Sequence, residues 1–434
     1  MASLFNVSQR YGPATSSLED AKLLGEAIKF EFSGRTMVSR IYKAATGEQM
    51  YSWDPLDPSA RGTPLGRLVQ LYETWGQGRY GMIITGDSTV DSMHLETPGS
   101  GVVAESNSTP THIEQLRRLA SAGSAHGSLV VMQLSHAGRR TPGYINSQPV
   151  SAGDGGYYIR PAHSTDKGRN NSSGGSFVYA AGIAHRAGFD GIQLHSVYDS
   201  LLSQFLSTRT NNRSDDYGGN IDNRSRIICE IIDSIRKEVK DPQFIIGIKI
   251  YLSDFKDKIG DARHFCQKLQ GLSLDFIEVV GGGFDPPESQ EHSITPLKEF
   301  VQQISPLLSK TLLFVSGGFR SSDNMARAIR DGHCTCVGLG QPCGSDPLLP
   351  SQIIGRQFGG AIKPDPNLDA AAVKSATGTH MEAIARGMAP IDLSNPQVSQ
   401  EFSIRIKKFE EERQEALKQG NVKVGYMVWD ETKG

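Results

Sequence analysis

Short apolar runs rich in β-branched residues recur along this chain with helix-period segments between them, and that alternation restricts it to βα units around a parallel sheet. Eight such runs can be counted: Met37 to Ala45, Met82 to Thr85, Leu129 to Leu134, Gly191 to His195, Phe244 to Ile250, Phe276 to Val280, Leu312 to Ser316 and Cys336 to Leu339. The segment carrying Ile227, Ile228, Ile231, Ile232, Ile235 and Val239 shows the three-and-four spacing of a single apolar helix stripe. Eight strands with helices between them predict an α/β fold of the (β/α)8 TIM-barrel type, with its chemistry at the carboxyl ends of the strands. Of the 434 residues, 32–358 carry the βα rhythm. Residues 1–31 read as an N-terminal extension and 359–434 as an appended C-terminal helical segment, ending in the charged stretch Phe402 to Lys418. That stretch is expected on the barrel wall as a solvated outer helix, or against a second subunit in a homodimer.

With 45 basic and 47 acidic residues and no run of either sign, the chain lacks the electrostatic footprint of a nucleic-acid or membrane-surface binder. The first thirty residues contain no apolar run of signal-peptide type, and no later stretch approaches the length of a membrane span, so a cytoplasmic enzyme acting on a small molecule is expected. The five cysteines form no CxxC pair, which gives no zinc or disulfide framework and suits a reducing compartment. Cys334 and Cys336 are expected to share one strand face as core residues. Residues 151–176 are rich in Gly, Ser and Asn, follow the third run, and are expected to form a lid over the mouth.

Two glycine patterns differ in value. Gly76, Gly78 and Gly81 spell GxGxxG but precede a strand, whereas a dinucleotide fingerprint follows one and opens a helix, so the match is a decoy. By contrast, Ser316-Gly317-Gly318-Phe319-Arg320 follows run seven and Gly338-Leu339-Gly340-Gln341-Pro342 follows run eight. Barrel enzymes hold phosphate there, because residues without a Cβ let backbone N–H groups approach an anion.

At this point the chain resembles the old yellow enzyme family of FMN-dependent ene reductases. The resemblance is carried by AGFDGIQLH (Ala187 to His195), LLSQFLS (Leu201 to Ser207) and NNRSDDYGGNIDNR (Asn211 to Arg224), supported by KAAT (Lys43 to Thr46), QLSHAGR (Gln133 to Arg139), IGIK (Ile246 to Lys249), FIEVVGGG (Phe276 to Gly283), VSGGFR (Val315 to Arg320), VGLGQP (Val337 to Pro342) and DPLLP (Asp346 to Pro350). It implies tightly bound FMN and NADPH or NADH as reductant. Ala44, Ala45, Thr46 and Gly86 would then line the flavin ring, Gln133 its pyrimidine edge, and Lys249 the N1 and O2 side, where a cation opposes the charge of the reduced ring. Gly317, Gly318, Gly340 and Gln341 would face the phosphate. His195 would hydrogen-bond the oxygen of a conjugated carbonyl substrate.

This chain departs from the family where proton transfer takes place. The family's His-x-x-(His or Asn)-Gly-Tyr becomes His195-Ser196-Val197-Tyr198-Asp199-Ser200. Serine is a poor proton donor, so the resemblance implies that Tyr198, or lid residues Tyr157 and Tyr158, must supply the acid. Gly47 stands where the family usually has Thr or Cys, and Gln341 where it has an Arg on the phosphate. The leading expectation is an NAD(P)H-dependent ene reductase of specialised metabolism. The alternatives are a redox-neutral isomerase or cyclase, or a desaturase, on the same flavin barrel, and a degenerate barrel that only binds.

Overall fold

The computed structural model describes residues 9–153, 157–158, 173–255, 258–284 and 295–430. Eight parallel strands close into a barrel: β1 (Ile41–Lys43), β2 (Met82–Thr89), β3 (Leu129–Ser135), β4 (Gly191–Ser196), β5 (Ile245–Tyr251), β6 (Phe276–Val280), β7 (Leu312–Ser316) and β8 (Cys336–Leu339). Each pairs with its sequence neighbour, and β8 returns to β1 through Val337 opposite Ile41. Helices α1 (Gly66–Gln77), α2 (Pro110–Ser124), α3 (Ser173–Arg186), α4 (Arg226–Val239), α5 (Ile259–Gly271), α6 (Pro296–Ile304), α7 (Ser322–Arg330) and α8 (Leu349–Ile354) follow the eight strands in turn. Helix α4 buries Ile227, Ile228, Ile231, Ile232 and Ile235, the stripe read from the sequence.

The first apolar run is not one strand. Its start, Thr36–Met37, pairs antiparallel with Ile28–Lys29 in a hairpin, and only Ile41–Lys43 enters the barrel. The hairpin's Phe30 and Met37 pack with Tyr42, Met82, Ile84, Leu129, Val131, Ile245, Phe276, Phe314 and Cys336 in a cluster that fills the barrel interior. Glycine makes room at two tight points. A Cβ on Gly247 would lie 2.2 Å from the Phe276 ring, and one on Gly338 would lie 2.5 Å from Tyr42. Gly247→Ala is therefore an overpacking change, expected to cost about 1–3 kcal/mol in urea unfolding. All five cysteines are buried, as core packing requires.

Above this apolar plug the inward residues turn polar, which places the chemistry at the strands' carboxyl ends. The Gly-rich segment 151–176 lies largely outside the described residues. Ser173 to Ser176 already belong to α3, because the apolar run beginning at Phe177 extends the helix back through the glycines. Beyond the barrel, α9 (Ala370–Ala385) and α10 (Pro396–Lys418) share a small core of Leu368, Ala372, Ile391, Phe402, Ile406 and Trp429. Helix α9 packs against α1. The segment after α10 runs back over the mouth, where Tyr426 lies flat on Gly378 and donates to the Gly47 carbonyl at 2.5 Å. No helix among the described residues is long and apolar enough to cross a membrane.

Candidate active site

In a closed parallel barrel, alternate residues of each strand face inward, so the residue types at matching heights decide what the mouth can do. Register sets Asp87 beside Gln133, Gln133 beside Gln193, and Lys249 between His195 and Glu278. Gln133 Nε2 donates to Gln193 Oε1 at 2.7 Å, and Gln193 Nε2 donates to Glu278 Oε2 at 2.7 Å. The other Glu278 oxygen accepts from the Ser316 hydroxyl at 2.5 Å and pairs with Lys249 Nζ at 3.2 Å. One buried carboxylate thus holds Lys249 and, through Gln193, orients Gln133. The structure brings Gln133 and Lys249 into one network through Glu278, Gln193 and Ser316, which the sequence analysis gave no such part, although Glu278 and Gln193 each stand as a polar residue inside an apolar run.

His195 is 8% exposed, and its Nδ1 lies 2.8 Å from the Ser135 hydroxyl on the neighbouring strand. Among the described residues its Nε2 has no hydrogen-bond partner. Burial, with the Lys249 and Arg140 charges nearby, pushes the ring down to about 3, so it is neutral at working pH. In the tautomer in which Nδ1 accepts from Ser135, Nε2–H is a neutral donor.

In the segment after β4 the Ser200 hydroxyl is taken up by the backbone. That hydroxyl is fully buried and donates to the His195 carbonyl at 3.0 Å, so it braces the turn. Tyr198 and Asp199 both adopt left-handed backbone (φ 52° and 60°), a costly pair of conformations for residues with a side chain. Arg140 holds the turn through the Tyr198 carbonyl at 2.7 Å, and Arg139 pairs with Asp199 at 3.0 Å. The Tyr198 ring is 46% exposed and tilts against Tyr251 at 4.7 Å between centroids. Tyr251 ends β5 two residues past Lys249, so the phenols stand on the His195–Lys249 side of the mouth. Tyr157–Tyr158 pairs through its backbone with Val150–Ser151; its side chains lie outside the described residues.

Ala44, Ala45 and Thr46 continue β1, with the Ala44 N–H on the Leu339 carbonyl at 3.0 Å. Gly86 has a reason of its own to lack a side chain. Its N–H donates to Glu48 at 2.8 Å, and a Cβ would lie 2.0 Å from the same carboxylate. Glu48 also accepts from the Tyr72 hydroxyl at 2.7 Å and lies 3.6 Å from buried Lys43.

At the phosphate loops, Gly318 is left-handed (φ 79°), a Cβ on Gly317 would strike the Gly282 carbonyl at 2.2 Å, and the space beside Gly340 is open. Gln341 accepts a hydrogen bond from Arg320 Nη2. Arg320 is largely enclosed and has no carboxylate partner among the described residues, a costly state for a guanidinium unless an anion completes it. These loops fit a phosphate-bearing group: Arg320 supplies the cation that position 341 lacks. Arg320→Gln is accordingly expected to weaken FMN binding roughly 10- to 100-fold in a fluorescence titration, the size of a lost charged hydrogen bond.

A second cluster, Asp91, His94 and His136, has the donor types of a metal site. Its hydrogen bonds argue for a clamp instead. His94 Nε2 accepts from the Val150 N–H and His136 Nδ1 from the Gly138 N–H, so the protons sit on the nitrogens facing Asp91. Metal-bound imidazoles donate from their free nitrogen, the reverse of this pattern. Against its burial, the two histidines hold Asp91 down to about 2.

Comparison with known proteins agrees with this geometry. The chain is 34% identical over 399 residues to the NADH-dependent flavin oxidoreductase nadA of Aspergillus parasiticus, covering 87% of this chain and 88% of the relative. It is 28% identical over 362 residues to the NADH-dependent flavin oxidoreductase iliE of Hypocrea jecorina, covering 74% and 86%. Among solved structures, morphinone reductase superposes with a TM-score of 0.61 at 20% identity, covering 79% of this chain and 91% of that one. The old yellow enzyme homologue of Zymomonas mobilis gives 0.61 at 19%, covering 78% and 94%. At those identities the structures show the barrel. The family follows from residues 34–356, which match the model of the NADH:flavin oxidoreductase / NADH oxidase family. The chain therefore belongs to that family, that of the old yellow enzymes, and is an FMN-dependent oxidoreductase with a nicotinamide as reductant.

Proposed function

We propose that this enzyme reduces the conjugated C=C of a small α,β-unsaturated carbonyl compound, taking electrons from NADH or NADPH. The observation that carries the reading is His195: a buried, neutral imidazole with Nδ1 on Ser135 and Nε2 without a partner among the described residues, at the carboxyl end of β4 beside Lys249; the tautomer with the proton on Nε2 makes it a donor. A neutral donor suits a carbonyl oxygen that gains negative charge as the alkene is reduced, because it stabilises the charge without giving up its proton. Bound FMN supplies the electron pair and the hydrogen for the β-carbon. Gln133, Lys249 and Ala44 to Thr46 hold its ring, while Gly317, Gly318, Gly340, Gln341 and Arg320 hold its phosphate. Tyr198, resting on Tyr251, delivers the second proton to the α-carbon.

The commitment of Ser200 to the His195 carbonyl supports a second reading, a redox-neutral isomerisation or cyclisation, since no acid stands at that position. Anaerobic spectroscopy separates the two. NADH or NADPH should bleach the flavin bands, and 2-cyclohexenone should restore them. Bands that survive either nicotinamide favour the redox-neutral reading, and protein that binds no flavin favours a binding role. The outer face of α10 is where a second copy of the chain would dock if the enzyme is a homodimer.

A further inference from the structure

We propose that Asp87 works as a carboxylic acid toward the pyrimidine edge of the flavin, donating a hydrogen bond there and taking up a proton when the ring is reduced. This deepens the preceding reading and rests on FMN lying against the loops after β1 and β2.

The argument begins with strand register. A break in pairing between Ile84 and Asp87 re-aims the end of β2, so that Asp87 pairs with Gln133 and stands at its height. From Met82 to Val90 every residue is buried except Asp87, which is partly open. Its carboxylate leans toward the loop after β1, where Oδ1 would lie 3.4 Å from a Cβ on Gly47. A side chain at position 47 would therefore stand in van der Waals contact with the acid.

The charges around it leave one proton unaccounted for by ion pairs. Glu48 faces Asp87 from the loop after β1, and Glu96 and Ser100 face it from the loop after β2. The phenols of Tyr51 and Tyr426 approach from the next turn and from the returning C-terminal segment. Among the described residues two cations pair with this group of three carboxyls: Lys43 lies 3.6 Å from Glu48, and Arg140 lies 3.2 Å from Glu96. Asp87 has no ion pair among the described residues. Burial, then Glu96 and Glu48, push it up to about 8. At neutral pH it is therefore a neutral acid, a donor where an ionised Asp could only accept.

A ring that accepts electrons gains negative charge on the edge that Gln133, beside Asp87, and Lys249 would face. Protonated Asp87 strengthens its hydrogen bond as that charge grows. Above its titration in the oxidised protein, Asp87 takes up one proton for each electron pair delivered, beyond the one the ring itself binds. With the nicotinamide as reductant the ring's own hydrogen arrives with the electron pair as hydride, and the proton on Asp87 comes from solvent.

The test is the midpoint potential of the FMN-loaded protein against pH from 6 to 10, for wild type and Asp87→Asn. Wild type should take up two protons per electron pair above about pH 8 and the variant one throughout. Infrared difference spectra of the protein without FMN should show a protonated-carboxyl band at pH 6.5, titrating away near 8 and missing in the variant; Asp87→Ser serves if Asp87→Asn does not fold. Parallel slopes with FMN bound in both proteins, or no such band at pH 6.5, would overturn the assignment. Failure of the wild type to bind FMN would overturn the flavin reading itself.

Discussion

His195→Ala should lower kcat/KM for an enone by roughly 10²- to 10³-fold, about 2.7–4 kcal/mol of transition-state stabilisation, the size of a lost oxyanion donor. FMN content and thermal midpoint should stay near wild type, because the ring touches Ser135 and the mouth and the strand is held by its backbone. Stopped-flow measurement of the two half-reactions locates the loss. Reoxidation by the enone should slow, while reduction by the nicotinamide changes less. Since burial pushes His195 down to about 3, its own titration should leave no mark on a wild-type rate profile above pH 5. A mutant of undiminished activity would remove the role. One that loses flavin would make the residue structural.

Tyr198→Phe should reduce turnover by about 10²-fold, the usual contribution of a general acid, and Ser200→Ala should leave proton transfer nearly intact. The geometry separates the two hydroxyls. Tyr198 presents a half-exposed phenol beside Tyr251, whereas Ser200 spends its only proton on the His195 carbonyl. Burial and the Tyr251 hydroxyl raise the Tyr198 phenol, so it stays protonated and able to donate across the working range. Solvent isotope effects on enone reduction should fall in Tyr198→Phe if the phenol's proton is the one transferred. If Ser200→Ala proves the damaging change and Tyr198→Phe the harmless one, Tyr198 is an aromatic wall of the pocket.

Much of the barrel was legible because parallel strands buried on both faces appear as apolar runs, and six of the eight agree with the structure to within a residue or two. The exceptions have physical causes. Met37 to Ala45 is one apolar stretch, yet its first residues plug the barrel floor and its last enter the sheet, and hydrophobicity is the same in both places. The apolar run from Met82 stops at Thr85, where Gly86 follows. There the glycine makes room for Glu48, and the strand continues to Thr89 through the break in pairing. Helix α9 falls inside the C-terminal segment read as helical, but its bounds are not legible there because it is buried on nearly every side and so has no apolar stripe. In the site, residues inside recognisable motifs could be placed one by one. Glu278, Arg320 and Asp87 act through partners brought from distant strands, and no spacing along the chain encodes those pairs.

The hydrogen bond from Tyr426 to Gly47 joins residues 379 positions apart. A ribosome adding roughly 5–20 residues per second needs roughly 20–75 s to cover that interval. By the end of that time every strand of the barrel has been made, and only then can the rim around the first loop be finished. The mouth is thus the last part of this enzyme that a nascent chain can complete. Flavin taken up during synthesis would meet an open rim, and flavin added afterwards a closed one. Cofactor loading is therefore expected to be easier on the polysome than in the finished protein, which makes refolding with FMN present the natural route to full occupancy.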